Sequence, residues 1–155
     1  MARRQGEKLV ADNRRARHEF ELLERIEAGL VLQGTEVKAL REGRATIERA
    51  FADVRGNEIW LVGANIAAYD KGGFANHDPE RDRKLLLHRR EIDGFAGKAS
   101  QRGYTLVPLR MYFKYGMAKV ELAVASGKKL HDKREAMKKA DAQREIRRAI
   151  TDRRR

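Results

Sequence analysis

Apolar side chains at Phe20, Leu22 and Ile26 fall at even spacing, which predicts a first strand ending near Ala28-Gly29. Gly34-Thr35 then opens a short helix, with Thr35 as its N-cap, Val37 and Leu40 turned inward, and Gly43 at its C-terminal end. The β-prone run from Thr46 to Val54 is followed by Arg55-Gly56-Asn57 and by Ile59-Trp60-Leu61-Val62. Two such runs around a glycine–asparagine turn predict a hairpin. Residues 70–83 are rich in Gly, Asp and Asn, hold one of the two prolines, and read as an irregular surface loop. Beyond Leu85–Leu87, Ile92, Phe95, Ala96 and Ala99 recur at i, i+3, i+4 and i+7, a helix that Gly103 ends. Val107, Leu109, Met111, Phe113 and Tyr115 then alternate along one strand face, and Val120, Leu122 and Val124 along the next. Tyr115-Gly116 supplies the turn between them, and Pro108 belongs at an edge or strand start, where its missing donor does no harm.

Short antiparallel strands with inserted helices predict a mainly β domain, a small closed or nearly closed antiparallel β-barrel. An open α+β sheet is the alternative. The domain is expected to span residues 1–126, beginning with a basic N-terminal arm, and residues 127–155 form a separate basic tail. From Asp132 to Ile150 the tail has no glycine or proline. Asp132 with Glu135 resembles a capping box, and Glu135 with Lys139 makes a favourable i, i+4 pair. Its apolar stripe (Ala142, Ile146, Ala149, Ile150) is thin, so the tail is expected to be disordered when free and helical once RNA neutralises it.

Charge sharpens this picture. Of the net +12, residues 1–18 carry six basic and two acidic side chains, residues 19–126 carry 17 and 16, and residues 127–155 carry twelve and five. A nearly neutral body with cationic ends points to a polyanionic partner, because each neutralised phosphate releases condensed counterion. A membrane partner is not expected, since no long bulky-apolar face accompanies the charge and no apolar stretch suits a signal peptide or span. A cytoplasmic protein is therefore expected. The chain has no cysteine, which removes thiolate catalysis, disulfides and cysteine-ligated zinc.

Catalytic chemistry has little to work with. Neither Ser100 nor Ser126 sits in a nucleophile elbow, and His77-Asp78 and His88 stand at no recognised metal-ligand spacing. No enzyme activity, metal or cofactor is expected. Cations with flat side chains among them are the stronger signal. Asn13-Arg14-Arg15-Ala16-Arg17-His18 can clamp phosphates and offer a ring, although a merely solvated arm would look the same. Arg81, Arg83, Lys84, Arg89 and Arg90 flank Leu85–Leu87. In a strand, Leu86 and His88 share the face opposite Leu85 and Leu87, so one pair stands exposed beside a basic patch. In the tail, Lys128, Lys129, His131, Asp132, Lys133 and Arg134 set a stacking ring among cations.

These segments resemble the SmpB family of SsrA-binding proteins, which partner transfer-messenger RNA in bacterial ribosome rescue. The resemblance lies in Asn13 through His18, Glu27-Ala28-Gly29 with Gly34-Thr35-Glu36-Val37-Lys38, Arg83 through His88, Leu106-Val107-Pro108-Leu109, and Gly127-Lys128-Lys129 with Asp132-Lys133-Arg134. It implies an oligonucleotide-binding-fold barrel that binds the tRNA-like domain of transfer-messenger RNA and delivers it to stalled ribosomes. A monomer is expected. Asn13, Arg14, Arg15, Arg17, His18, Glu27, Lys84, Leu86 and His88 would then serve the RNA-binding surface. Lys128, Lys129, His131, Asp132, Lys133 and Arg134 would act in the small-subunit decoding region and the empty mRNA channel. Ala39 and Phe51 stand where family members commonly have serine and tyrosine. Two other readings remain: a general single-stranded RNA binder, and a ribonuclease using His77.

Overall fold

The computed structural model describes residues 6–101, 103–127 and 143–148. In chain order the elements are β1 (Glu7–Asp12), α1 (Arg14–Glu19), β2 (Phe20–Leu30), α2 (Gly34–Arg41), β3 (Ala45–Thr46), β4 (Phe51–Arg55) and β5 (Glu58–Val62). There follow β6 (Asn65–Ile66), a 3-10 turn (Gly73–Ala75), β7 (Arg83–Leu86), α3 (Arg89–Ala99), β8 (Tyr104–Lys114) and β9 (Met117–Gly127). All strand pairings are antiparallel. The large sheet runs β1-β8-β4-β5-β7-β2-β9, and β8 also pairs with β9. Six strands thus close into a ring, β8-β4-β5-β7-β2-β9, rather than an open sheet. Closure removes the exposed edges that an open sheet would leave. β1 takes the stretch of β8's edge that β4 does not use, pairing Glu7 with Lys114 and Asp12 with Arg110.

The ring interior is the main core. Ile59, Leu61, Leu85, Leu106, Met111 and Leu122 point into it from the strands, joined by Leu40 of α2 and Phe95 of α3. Full burial of such a side chain is worth about 1.5–3 kcal/mol. Both expected two-residue turns are present. Arg55 pairs with Glu58 around Gly56-Asn57, and Lys114 pairs with Met117 around Tyr115-Gly116, whose φ values of 49° and 79° give the twist a two-residue hairpin needs.

Alternation in β8 is not continuous, and the expected single apolar face divides in two. The register shifts between Pro108 and Arg110, so Leu109 is an extra residue and side chains change face across it. Val107 and Leu109 therefore leave the ring interior. On the outer face they meet Ala123 and Ala125 of β9 and Ala16 of α1, a second small core. Pro108 lies inside the strand and not at its start, but in the stretch of β8 that neither β4 at Leu106 nor β1 from Arg110 pairs, so the edge expectation holds.

The expected N-terminal arm is largely folded structure. Its residues 7–12 form a strand on β8, and residues 14–19 a helix over the β8–β9 face, because Val10 and Ala11 pack on the main core and Ala16 on the outer one. Thr35 is not the cap of α2, since the helix begins one residue earlier, after Gln33. In the 46–54 run only residues from Phe51 onward join the hairpin, while Ala45-Thr46 pairs with β6. The expectations for Lys128, Lys129, His131, Asp132, Lys133 and Arg134 fall outside the described residues. Residues 143–148 of the tail are helical and exposed.

Candidate nucleic-acid interface

Asn13 is the hinge between β1 and α1. Its Oδ1 accepts from the Ala16 N–H (3.0 Å), while its Nδ2 donates to the carbonyls of Pro108 (2.8 Å) and Ile47 (3.3 Å). The side chain is 1% exposed and fully occupied inside the protein, so Asn13 positions α1 and is not a surface donor. Ala16 is the only buried residue of the helix, which turns Arg14, Arg15 and His18 to solvent. Arg17 pairs with Asp12 (3.1 Å) and Arg15 with Glu19 (3.0 Å).

The face beneath α1 continues along the sheet. On β9, Val120, Leu122 and Val124 enter the ring, so Lys119, Glu121, Ala123 and Ala125 lie outside. Glu27 is paired with Glu121 and shares that outer face. Its Oε2 accepts from the Tyr112 phenol and from Lys114 Nζ at 3.3 Å. Partial burial opposes its charge, but the bonds from Tyr112 and Lys114 outweigh it and hold the Glu27 carboxyl below its ordinary range. Tyr112 is pushed up, first by burial and then by its bond to Glu27, and stays neutral. Arg110 covers its ring, with the guanidinium carbon 4.2 Å from the centroid, and bonds Glu7 at 2.9 Å. Glu27 thus carries its own counter-charge, the part-exposed Lys114, on the outer face.

Across β2 the outer face reaches β7. Gly29 pairs with Leu86, and a β-carbon at Gly29 would come within 3.2 Å of the Leu86 side chain. The glycine lets Leu86 lie close against β2 while remaining 54% exposed. Leu85 is buried and Leu87 packs on the core, so the alternation expected for Leu86 and His88 holds. His88 is exposed at the start of α3, its N–H bonded to Glu91 Oε1 at 3.0 Å. Lys84 lies on the same side and pairs with Glu58 (3.1 Å). Arg14, Arg15, His18, Glu27, Lys84, Leu86 and His88 are therefore brought onto the outside of one ring, in the strand order β8-β9-β2-β7.

The expected arginine patch around β7 is smaller than the sequence suggested. Arg83 is fully buried, with Nε 2.6 Å from Glu36 Oε2 and Nη1 2.8 Å from the Ala64 carbonyl. Arg81 bonds Glu36 Oε1 at 2.5 Å. Burial alone would raise Glu36, but Arg81, the Gln33 N–H and Arg83 together hold its carboxyl below the usual range. This buried ion group pins the segment after β6 to α2. Sequence reasoning missed it, although Arg83 has the same strand parity as buried Leu85. His77 is also buried, with Nδ1 2.8 Å from Thr35 Oγ1 and Nε2 2.8 Å from the Ile66 carbonyl oxygen. Both ring nitrogens are engaged within the protein, so His77 ties α2 to the segment around β6. Among the described residues no acidic, histidine or cysteine cluster could hold a metal ion, and no helix is long and apolar enough to cross a membrane.

Comparison with known proteins places this architecture. The family model described as "SmpB protein" matches residues 10–152. The SsrA-binding protein of Trichodesmium erythraeum is 52% identical over 147 residues, covering 94% of each chain. That of Geobacter metallireducens is 54% identical over 148 residues, covering 96% of this chain and 97% of its own. A solved chain described as "tmRNA-SmpB: a journey to the center of the bacterial ribosome" is 52% identical. It superposes with a TM-score of 0.65 over 76% of this chain and 82% of its own. With near-full-length coverage in both directions, the chain belongs to the SmpB family.

Proposed function

We propose that the protein binds the tRNA-like domain of transfer-messenger RNA through the outer face of its ring and delivers it to stalled ribosomes for trans-translation. The observation that carries this is the placement of Arg14, Arg15, His18, Glu27, Lys84, Leu86 and His88 on the outside of the ring, in a chain whose relatives are SsrA-binding proteins. The arginines and Lys84 neutralise phosphates, and His18 and His88 offer rings and donors. Leu86 supplies an apolar contact to a base or ribose. Glu27 acts through Lys114, fixing the ammonium that meets the RNA. Such an interface recognises the shape of a folded RNA rather than a run of bases.

The work of the protein is binding and positioning in the cytoplasm, without covalent catalysis or cofactor. The basic tail, including Lys128, Lys129, His131, Asp132, Lys133 and Arg134, occupies the empty mRNA channel of the small subunit. His131 stacks on a ribosomal RNA base, with its cationic neighbours on phosphates. A chain ending at Gly127 tests the division of labour. It should bind the isolated tRNA-like RNA nearly as well as the full chain and fail to support peptide tagging on stalled ribosomes. Equal loss of both activities would contradict it.

A further inference from the structure

A cleft of about 370 Å3 opens on the outer face between α1 and residues 48–51. It exists because β4 leaves β8 after Ala52↔Leu106, whereas β1 joins β8 only from Arg110 onward. The buried Ala16, Ala50 and Val107 line it together with the aromatic rings of Phe20 and Phe51. Asn13 ties both sides together, bonding Ile47 on one and Pro108 on the other. Gly63, at φ +79°, lies against the Arg49 carbonyl so closely that a β-carbon would sit 3.0 Å from it. The cleft is therefore built, not a chance gap between loose side chains.

Around its mouth stand Arg15, Glu19, Glu48 and Arg49. Arg15 is paired with Glu19, whereas the exposed Glu48 and Arg49 make no hydrogen bond or ion pair with any described residue. Phe51 keeps 44% of its surface exposed at the entrance. An apolar protein side chain entering here would cover Glu48 and Arg49 and give them no partner, and buried interface centres are depleted of such charges. A nucleotide uses every group present: the ring stacks on phenylalanine, the phosphate meets arginine, and an exocyclic amine donates to a carboxylate. The volume lies at the low end of the ~300–1,000 Å3 range of small-ligand sites, which suits one base and not a stacked run.

We infer that this cleft captures a single unpaired base of the bound RNA, with Phe51 as its stacking platform and Arg49 on the adjoining phosphate. The inference rests on the RNA-binding reading above and adds a base-reading site apart from the Glu27–Leu86 surface.

The test is a scan of single abasic substitutions through the unpaired nucleotides of the tRNA-like RNA, bound to the full chain and to Phe51→Ala, Phe51→Tyr and Arg49→Gln. One abasic position should weaken binding to the unaltered chain by about tenfold, the size of one lost stacking contact. Phe51→Ala should bind intact RNA about tenfold more weakly and be indifferent to that same position, while Phe51→Tyr restores both properties. Arg49→Gln, at an exposed and unpartnered residue, should weaken binding without altering the thermal midpoint. The inference is overturned if the Ala and Gln variants bind like the unaltered chain. It is also overturned if the Phe51→Ala loss adds equally to every abasic RNA. Failure of the unaltered chain to bind intact tRNA-like RNA would overturn the RNA-binding reading, and this site with it.

Discussion

Tyr112 on β8 donates its phenol to Glu27 on β2 across the intervening strand β9, and this bond holds the outer face of the ring in one arrangement. Glu27 is fixed by Tyr112 and in turn fixes Lys114. The Glu27 carboxylate is therefore held by a buried phenol as well as by a lysine.

That bond makes stability depend on pH at both ends. The folded Glu27 carboxyl lies below its ordinary 4.5, so its contribution is complete above that value and is lost as pH falls through the lowered one. Tyr112 lies above its ordinary 10.0, so its contribution is complete below about 10 and is lost as pH rises further. Urea midpoints measured across pH should fall at both extremes. In Tyr112→Phe the alkaline fall attributable to this residue should disappear, and in Glu27→Gln the acid fall should be shallower.

Asn13→Ala should cost about 3 kcal/mol, combining a lost helix cap with a buried Pro108 carbonyl left without its donor. Asn13→Asp keeps the cap acceptor but sets a carboxylate against two carbonyl oxygens, and should be no more stable. RNA binding should weaken in both because α1 is no longer held. A denaturation midpoint unchanged from the unaltered chain would remove Asn13 from this role.

Glu36→Gln leaves Arg83 charged and buried without its counter-ion, an arrangement that typically costs about 3–5 kcal/mol. Replacing both residues by methionine should recover part of the loss. Thermal unfolding of the two variants would show the difference directly, with the single variant the lower.

Leu86→Asp separates binding from folding. Leu86 is half exposed, so stability should stay within about 0.5 kcal/mol while RNA affinity falls by about tenfold or more. Arg14, exposed and with no partner among the described residues, should lower the salt slope of binding by about one unit when changed to Ala. Calorimetry and binding at three salt concentrations check both.

The hairpins, α2 and α3 were legible because their periodicity is local and their turn residues are specific. Tyr115-Gly116, Gly56-Asn57 and the Ile92–Phe95–Ala99 stripe each report on their own neighbours. α1 was not legible, since a six-residue helix with Ala16 as its one buried side chain has no stripe to detect. Asn13 was the available signal, being a strong capping residue just before Arg14. The β8 bulge was hidden because alternation cannot reveal an extra residue when both faces are apolar. Arg83 looked like patch and is core, because its partner Glu36 lies 47 residues away. At the candidate interface, residue types at α1 and β7 were readable, whereas the Tyr112–Glu27–Lys114 linkage depends on strand register across three strands.

Competition binding at a fixed, near-physiological salt concentration decides whether the ring's outer face recognises folded RNA. Transfer-messenger RNA, an ordinary tRNA and an unstructured RNA of matched length would compete for the full chain. Transfer-messenger RNA should displace the unstructured RNA with more than about a hundredfold advantage, and Leu86→Asp should shrink that advantage. Equal affinity for all three would show that charge alone drives binding, and the shared surface would then have no role in recognition.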